Sequence, residues 1–192
     1  MRSDELLSLP DDLSVPEDDG AADHLPGLAV PAPALTSTDG DVVRLDALDG
    51  RTVVFAYPRT ARPGEEIPGG TEEWNAIPGA RGCSMQAHAI AAAHARLRAL
   101  GVRVYGLSTQ TTAYQRELAE RLGLPYPALS DAGLELTRAL RLPTFEVEGM
   151  TLLKRLTLML RDGRVEHAIY PVFPPDRSAD AAAACLEANP EE

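Results

Sequence analysis

Residues 78–107 read PGARGCSMQAHAIAAAHARLRALGVRVYGL. The segment passes from a glycine-rich loop through Cys83 into a run where Ile90, Ala93, Leu97 and Leu100 recur three and four apart, with Arg96 and Arg98 off that stripe and Gly101 as a stop. This spacing predicts an amphipathic helix over roughly Ser84–Leu100. Residues 102–107 follow as a strand. Ahead of the loop, VVFAYP at 53–58 is a short apolar run closed by Pro58, the pattern of a buried central strand. Strand, helix and strand in this order form a parallel pair with a right-handed crossover.

Outward from this unit, LTSTDGDVVRL at 35–45 reads as two short strands around the turn Asp39-Gly40. Residues 59–81, rich in Gly and Pro, read as a loop. Tyr114, Leu118, Leu122 and Leu124 mark a second helix stopped by Gly123 and Pro125, and 134–140 a third. Residues 156–160 and 165–170 are strands joined at Arg161-Asp162-Gly163-Arg164, and 178–187 make a final helix. The expected class is α/β, a mixed central sheet flanked by helices, on the thioredoxin-like plan of strand, helix, strand, helix, hairpin, helix.

The chain of 192 residues, 44% hydrophobic and 24% charged, fits one domain at 25–192. Of the net charge of −11, seven units fall in residues 1–24, where eight carboxylates face Arg2 alone. With Pro10 and Pro16 and no sustained apolar period, this segment is expected to be a disordered acidic tail. An acidic body repels phosphate backbones and anionic surfaces, so neither nucleic acid nor membrane is expected as a partner. No apolar run is long enough for a span, and the N-terminus lacks a signal pattern, which predicts a cytoplasmic location. In a reducing compartment the two cysteines, Cys83 and Cys185, stay thiols.

Cys83 stands at the predicted start of the helix, where unpaired amides and the positive dipole end favour thiolate over thiol, with Arg81 adding charge. The thiolate is the nucleophilic form of cysteine. A buried structural cysteine is the plain alternative, but Gly82 before it and polar residues after it make a poor core face. No second cysteine lies three residues away, so a dithiol motif is absent; a lone thiolate of this kind suits attack on an oxidant, giving a sulfenic acid.

These segments resemble peroxiredoxins, especially the bacterioferritin-comigratory type. FAYP at 55–58 is similar to the strand and proline before the family's peroxidatic loop, and GCSMQ at 82–86 to its Gly-Cys-Thr-x-Gln/Glu. LSTQ at 107–110 with LAERLGLPYPALSD at 118–131, and KRLTLMLRDG at 154–163, resemble two further family segments in the same order. The likeness runs from about Leu28 to Leu186. It implies a thiol peroxidase reducing hydrogen peroxide or organic hydroperoxides, with Cys83 as peroxidatic residue and Arg155 aiming its guanidinium at the thiolate and the peroxide oxygens. Gln86 would orient that arginine and Pro58 would shield the thiolate. The resemblance implies a thioredoxin-like or small-thiol reductant and allows a homodimer. Cys185 is a candidate resolving cysteine, against a plain packing role on the last helix through Ala181, Ala184, Cys185 and Ala188.

Two departures stand out. Ala80 occupies the position of the family's threonine, and about eighteen residues, roughly Glu65–Gly82, are inserted before the nucleophile. Thr60, Ser84 and Thr157 are the candidates to replace the missing hydroxyl. These departures keep two other functions open: a peroxiredoxin fold redirected to another thiol reaction such as a biosynthetic tailoring step, and a non-catalytic redox sensor. His88 and His94, six apart, do not share a metal-ligand face, so no metal or other cofactor is expected. Trp74, within the insertion, is expected to anchor that loop.

Overall fold

The computed structural model describes residue 9 and residues 13–190. The strands are β1 (Leu35–Ser37), β2 (Val42–Val43), β3 (Arg51–Ala56), β4 (Arg103–Ser108), β5 (Ala128–Ser130), β6 (Thr144–Val147), β7 (Met150–Leu153), β8 (Leu156–Arg161) and β9 (Arg164–Ile169). The helices are α1 (Gly70–Ala76), α2 (Cys83–Ala99), α3 (Thr112–Leu122), α4 (Glu135–Leu140) and α5 (Ser178–Ala188). Seven strands form one sheet in the order β2-β1-β5-β4-β3-β8-β9, and β6 and β7 pair as a separate hairpin.

β3 is buried along its whole length because it has a neighbour on each side and helices over it. It runs parallel to β4, which runs parallel to β5, while β8 and β9 add antiparallel strands on the other side. The two-residue period of the strands divides the core. Val53, Phe55 and Met159 face a layer with Ile90 and Leu97 of α2 and Ala182, Ala183 and Leu186 of α5. Val54, Ala56 and Leu158 face the opposite layer with Leu136 and Leu140 of α4. The mixed, helix-flanked sheet is the expected thioredoxin-like arrangement, and it sets the N-terminus of α2 beyond the C-terminal end of β3.

Several elements differ from the sequence reading. Residues 59–81 are not loop throughout, because Gly70–Ala76 coil into α1, where Trp74 buries itself against Val147, Leu152 and Phe145 of the separate hairpin. The hairpin β6–β7 and the short strand β5 were not expected; each is only three or four residues long and shows no clear alternation. The buried stripe of α5 is Ala179, Ala182, Ala183 and Leu186, and Cys185, partly buried, packs against the same cluster at the margin of that stripe rather than at its centre.

The N-terminal segment also differs from the disordered tail expected for 1–24. Over 13–24 the chain lies on the body: Ala22 and then Leu25 are buried, Asp19 pairs with Lys154 at 2.7 Å, and a His24 ring nitrogen meets the Leu140 carbonyl at 2.9 Å. The composition of the segment is acidic, but the cation and apolar surface that hold it come from residues far along the chain. Residues 1–8 and 10–12 lie outside the described residues. Among the described residues, no helix is long and apolar enough to cross a membrane.

Candidate active site

The site begins with the turn that launches α2. Gly82 sits at φ +98, and a Cβ there would lie 2.5 Å from Pro175 Cγ and 3.2 Å from Leu9 Cδ2, so the turn needs glycine. Cys83 follows as the first residue of α2, buried at 6% exposure, with the unpaired amides of the helix start around it. Its thiol donates to the Ala80 carbonyl at 3.6 Å. The residue in the family's threonine position thus offers its main-chain oxygen to the sulfur instead of a hydroxyl.

Arg155 comes from the two-residue link between β7 and β8 and is only 3% exposed. Its Nη2 donates to Cys83 Sγ at 3.3 Å, to the Arg81 carbonyl at 3.1 Å and to the Gly79 carbonyl at 3.3 Å, while Nη1 donates to Gln86 Oε1. A guanidinium holds its charge at any physiological pH, and its planar fork is fixed here by four acceptors. Gln86 lies one turn after Cys83 on the same face of α2, which is why i and i+3 side chains meet the same arginine. Among the described residues, Arg155 Nε, Gln86 Nε2 and Thr157 Oγ1 are buried polar atoms without a protein partner.

The structure therefore brings Cys83, Arg155 and Gln86 together. Pro58 is buried just beyond β3, with its carbonyl accepting from Ser108 Oγ at 3.1 Å. Of the hydroxyls considered as replacements for the missing threonine, Thr60 is committed to Gln110 at 3.2 Å, and Thr157 is fully buried with a free hydroxyl. Burial pushes the Tyr57 phenol well above its ordinary range, Tyr126 and Cys83 adding to the effect, so it stays a neutral donor to Gln115 at 2.7 Å.

Cys185 is elsewhere. Its thiol is pushed up first by burial and then by Glu166, with Arg51 opposing, and it packs partly buried against the cluster shared by α2 and α5. Two residues further along α5, Glu187 pairs with Arg96 at 2.7 Å, and Arg96 lies thirteen residues along α2 from Cys83, roughly 20 Å at 1.5 Å per residue. A disulfide requires Cα atoms within about 7 Å. Both cysteines are free, and the folded chain does not bring them together.

The sequence reading missed the second face of the site. A cleft of about 460 Å³ opens beside Arg155, walled by Val15 and Pro16 on one side and by Ile77, Phe145, Tyr170 and Val172 on the other. Its residues come from five separate stretches of chain, and no local pattern links them.

Comparison with known proteins identifies the family and the fold. Residues 25–184 match the Redoxin family. Among solved structures, peroxidoxin BcpB of Mycobacterium tuberculosis is 25% identical, covers 88% of this chain and 100% of its own, and superposes with a TM-score of 0.69. Peroxiredoxin Q of Xanthomonas campestris, 21% identical over 93% of this chain and 98% of its own, gives 0.64. AhpC of Enterococcus faecalis, 20% identical over 85% and 91%, gives 0.63. No curated protein sequence matches. The chain belongs to the Redoxin family and has the thioredoxin-like fold of the peroxiredoxins.

Proposed function

We propose that the protein is a thiol-dependent peroxidase in which Cys83 attacks the peroxide and Arg155 stabilises the charge that moves. One observation carries this reading: a buried guanidinium, fixed by four acceptors, lies 3.3 Å from a cysteine sulfur at a helix N-terminus. The thiolate sulfur bonds to one peroxide oxygen as the O–O bond breaks. The departing oxygen takes a proton and leaves as water or an alcohol, and the sulfur, oxidised by two electrons, becomes a sulfenic acid. Developing negative charge on the departing oxygen falls beside Arg155, whose orientation needs no reorganisation during the step.

Gln86 acts as a positioning residue that fixes one arm of Arg155, and Pro58 closes the strand end that backs the site. The return to thiol takes two equivalents of a reducing thiol. The first condenses with the sulfenic acid, releasing water and forming a mixed disulfide, and the second displaces Cys83 as thiolate. With Cys185 remote, that reductant is a separate thioredoxin-like protein or small thiol, and the cycle is of the one-cysteine kind. Two free thiols suit a cytoplasmic setting.

The test is mass spectrometry after stoichiometric peroxide, together with the Cys83→Ser variant. One added oxygen on Cys83, and loss of peroxide consumption in a variant with wild-type circular dichroism, are the expected results. An unoxidised Cys83, or an active Cys83→Ser protein, would overturn the assignment.

A further inference from the structure

We infer that the N-terminal strap Val15–Asp19 is a specificity element: it forms one wall of the cleft beside Arg155 and selects hydroperoxides with an uncharged apolar body over hydrogen peroxide. This rests on the peroxidase reading above and goes beyond it by assigning substrate discrimination to a segment outside the matched family region, which begins at residue 25.

The strap is held at both ends. Pro16 packs on the cysteine loop, where a Cβ added to Gly79 would stand 3.4 Å from Pro16 Cγ. Asp19 is tied to Lys154, the residue before Arg155, at 2.7 Å. Just ahead of Pro16, Val15 is 61% exposed and lines the cleft, as does Pro16. An exposed valine next to an anchored proline is unexplained by packing of the strap alone.

The size of the cleft points to its occupant. About 460 Å³ is the volume of many water molecules at ~30 Å³ each, and it falls in the ~300–1,000 Å³ range of small-molecule sites. Hydrogen peroxide, scarcely larger than water, would leave it almost empty. Arg155 lines the cleft and also donates to Cys83. A hydroperoxide whose head reaches this guanidinium has its tail among Val15, Pro16, Ile77, Phe145 and Val172. The charges at the rim choose among such tails. Lys154 is neutralised by Asp19, and Glu17 is exposed on the strap, so a carboxylate-bearing tail meets repulsion while a neutral aryl or alkyl body does not.

The experiment compares second-order rates of Cys83 oxidation by cumene hydroperoxide and by hydrogen peroxide in the full chain, in Pro16→Asp and in Pro16→Val. Both peroxides attack the same sulfur, so their rate ratio cancels any general loss of folded or reactive protein. The expected result is a ratio favouring cumene hydroperoxide that falls about tenfold in Pro16→Asp and persists in Pro16→Val, the scale of discrimination an apolar pocket supplies. Trp74, whose ring packs on Phe145 with centroids 6.2 Å apart, should report cumyl alcohol binding to Cys83→Ser as a saturable fluorescence change that Pro16→Asp removes. A ratio equal in all three proteins would overturn the strap's role while leaving the peroxidase reading intact. Absence of Cys83 oxidation by either peroxide would overturn the peroxidase reading itself.

Discussion

The Asp19 carboxylate and the Lys154 ammonium meet at 2.7 Å, joining the N-terminal segment to the residue that precedes Arg155. The hydrogen bond from Lys154 is the largest of the influences that hold the Asp19 carboxyl down at about 2, from an ordinary 3.8. The same contact raises the Lys154 ammonium.

This pair gives the stability a pH signature. A carboxyl depressed in the folded protein stabilises it above the unfolded value and loses that contribution as pH falls through the folded value. The melting temperature of Asp19→Asn should therefore lie slightly below wild type at pH 5–7, by no more than about 2–3 °C for an exposed pair. The gap should close between about pH 4 and pH 2. Melting curves across that range check it; a constant gap would mean that the charge on Asp19 is not what matters.

Arg155→Met should slow oxidation of Cys83 by about 10²–10³, the usual effect of losing one well-placed charged donor. The same variant leaves the Gly79 and Arg81 carbonyls and Gln86 Oε1 without their shared donor. Gln86→Leu should slow the reaction less, because it frees only one arm of the guanidinium. Stopped-flow oxidation and iodoacetamide alkylation at fixed pH measure both, and equal rates for Arg155→Met and wild type would remove the arginine from the mechanism.

Trp74→Ala should destabilise the protein by about 3 kcal/mol, typical of truncating a buried aromatic. Trp74 joins the insertion to the β6–β7 hairpin, and Ala80, whose carbonyl meets Cys83, belongs to the same apolar cluster. Urea unfolding measures the loss, and hydrogen exchange should show it concentrated over α1 and the hairpin. Unchanged exchange there would show that α1 is held by other contacts.

Cys185→Ser should oxidise at Cys83 and turn over with a small thiol at the wild-type rate. Burial also makes Cys185 slow to alkylate relative to an exposed cysteine at pH 8. Non-reducing peptide mapping of oxidised protein is expected to find no intrachain bridge between the two cysteines; a high-yield bridge would require α5 to unfold during the cycle.

Much of the architecture follows from local sequence. The apolar run ending at Pro58, the spacing of Ile90, Leu97 and Leu100, and the stops at Gly101 and Gly123 each specify an element through its own period and breakers. They also set Cys83 at a helix start, because the glycine before it and the helical stripe after it are neighbours in the chain. The short elements β5, β6 and β7 and the seven-residue α1 were illegible for the converse reason. Too brief to carry a period, they persist only through partners such as Trp74 and Phe145, which are 71 residues apart in the chain.

The sequence alone determined the chemistry available: a cysteine at a helix N-terminus, with Arg155 and Gln86 matched to a family pattern. Tertiary structure alone decided how that chemistry is framed. It closed four acceptors around Arg155, drew the thiol to the Ala80 carbonyl, carried Cys185 to the far end of α2, and laid Val15–Asp19 along the cleft. The physical reason is that ion pairs, packing and buried donors depend on distances in space, and the acidic N-terminus carries no mark of the lysine 135 residues away that holds it in place.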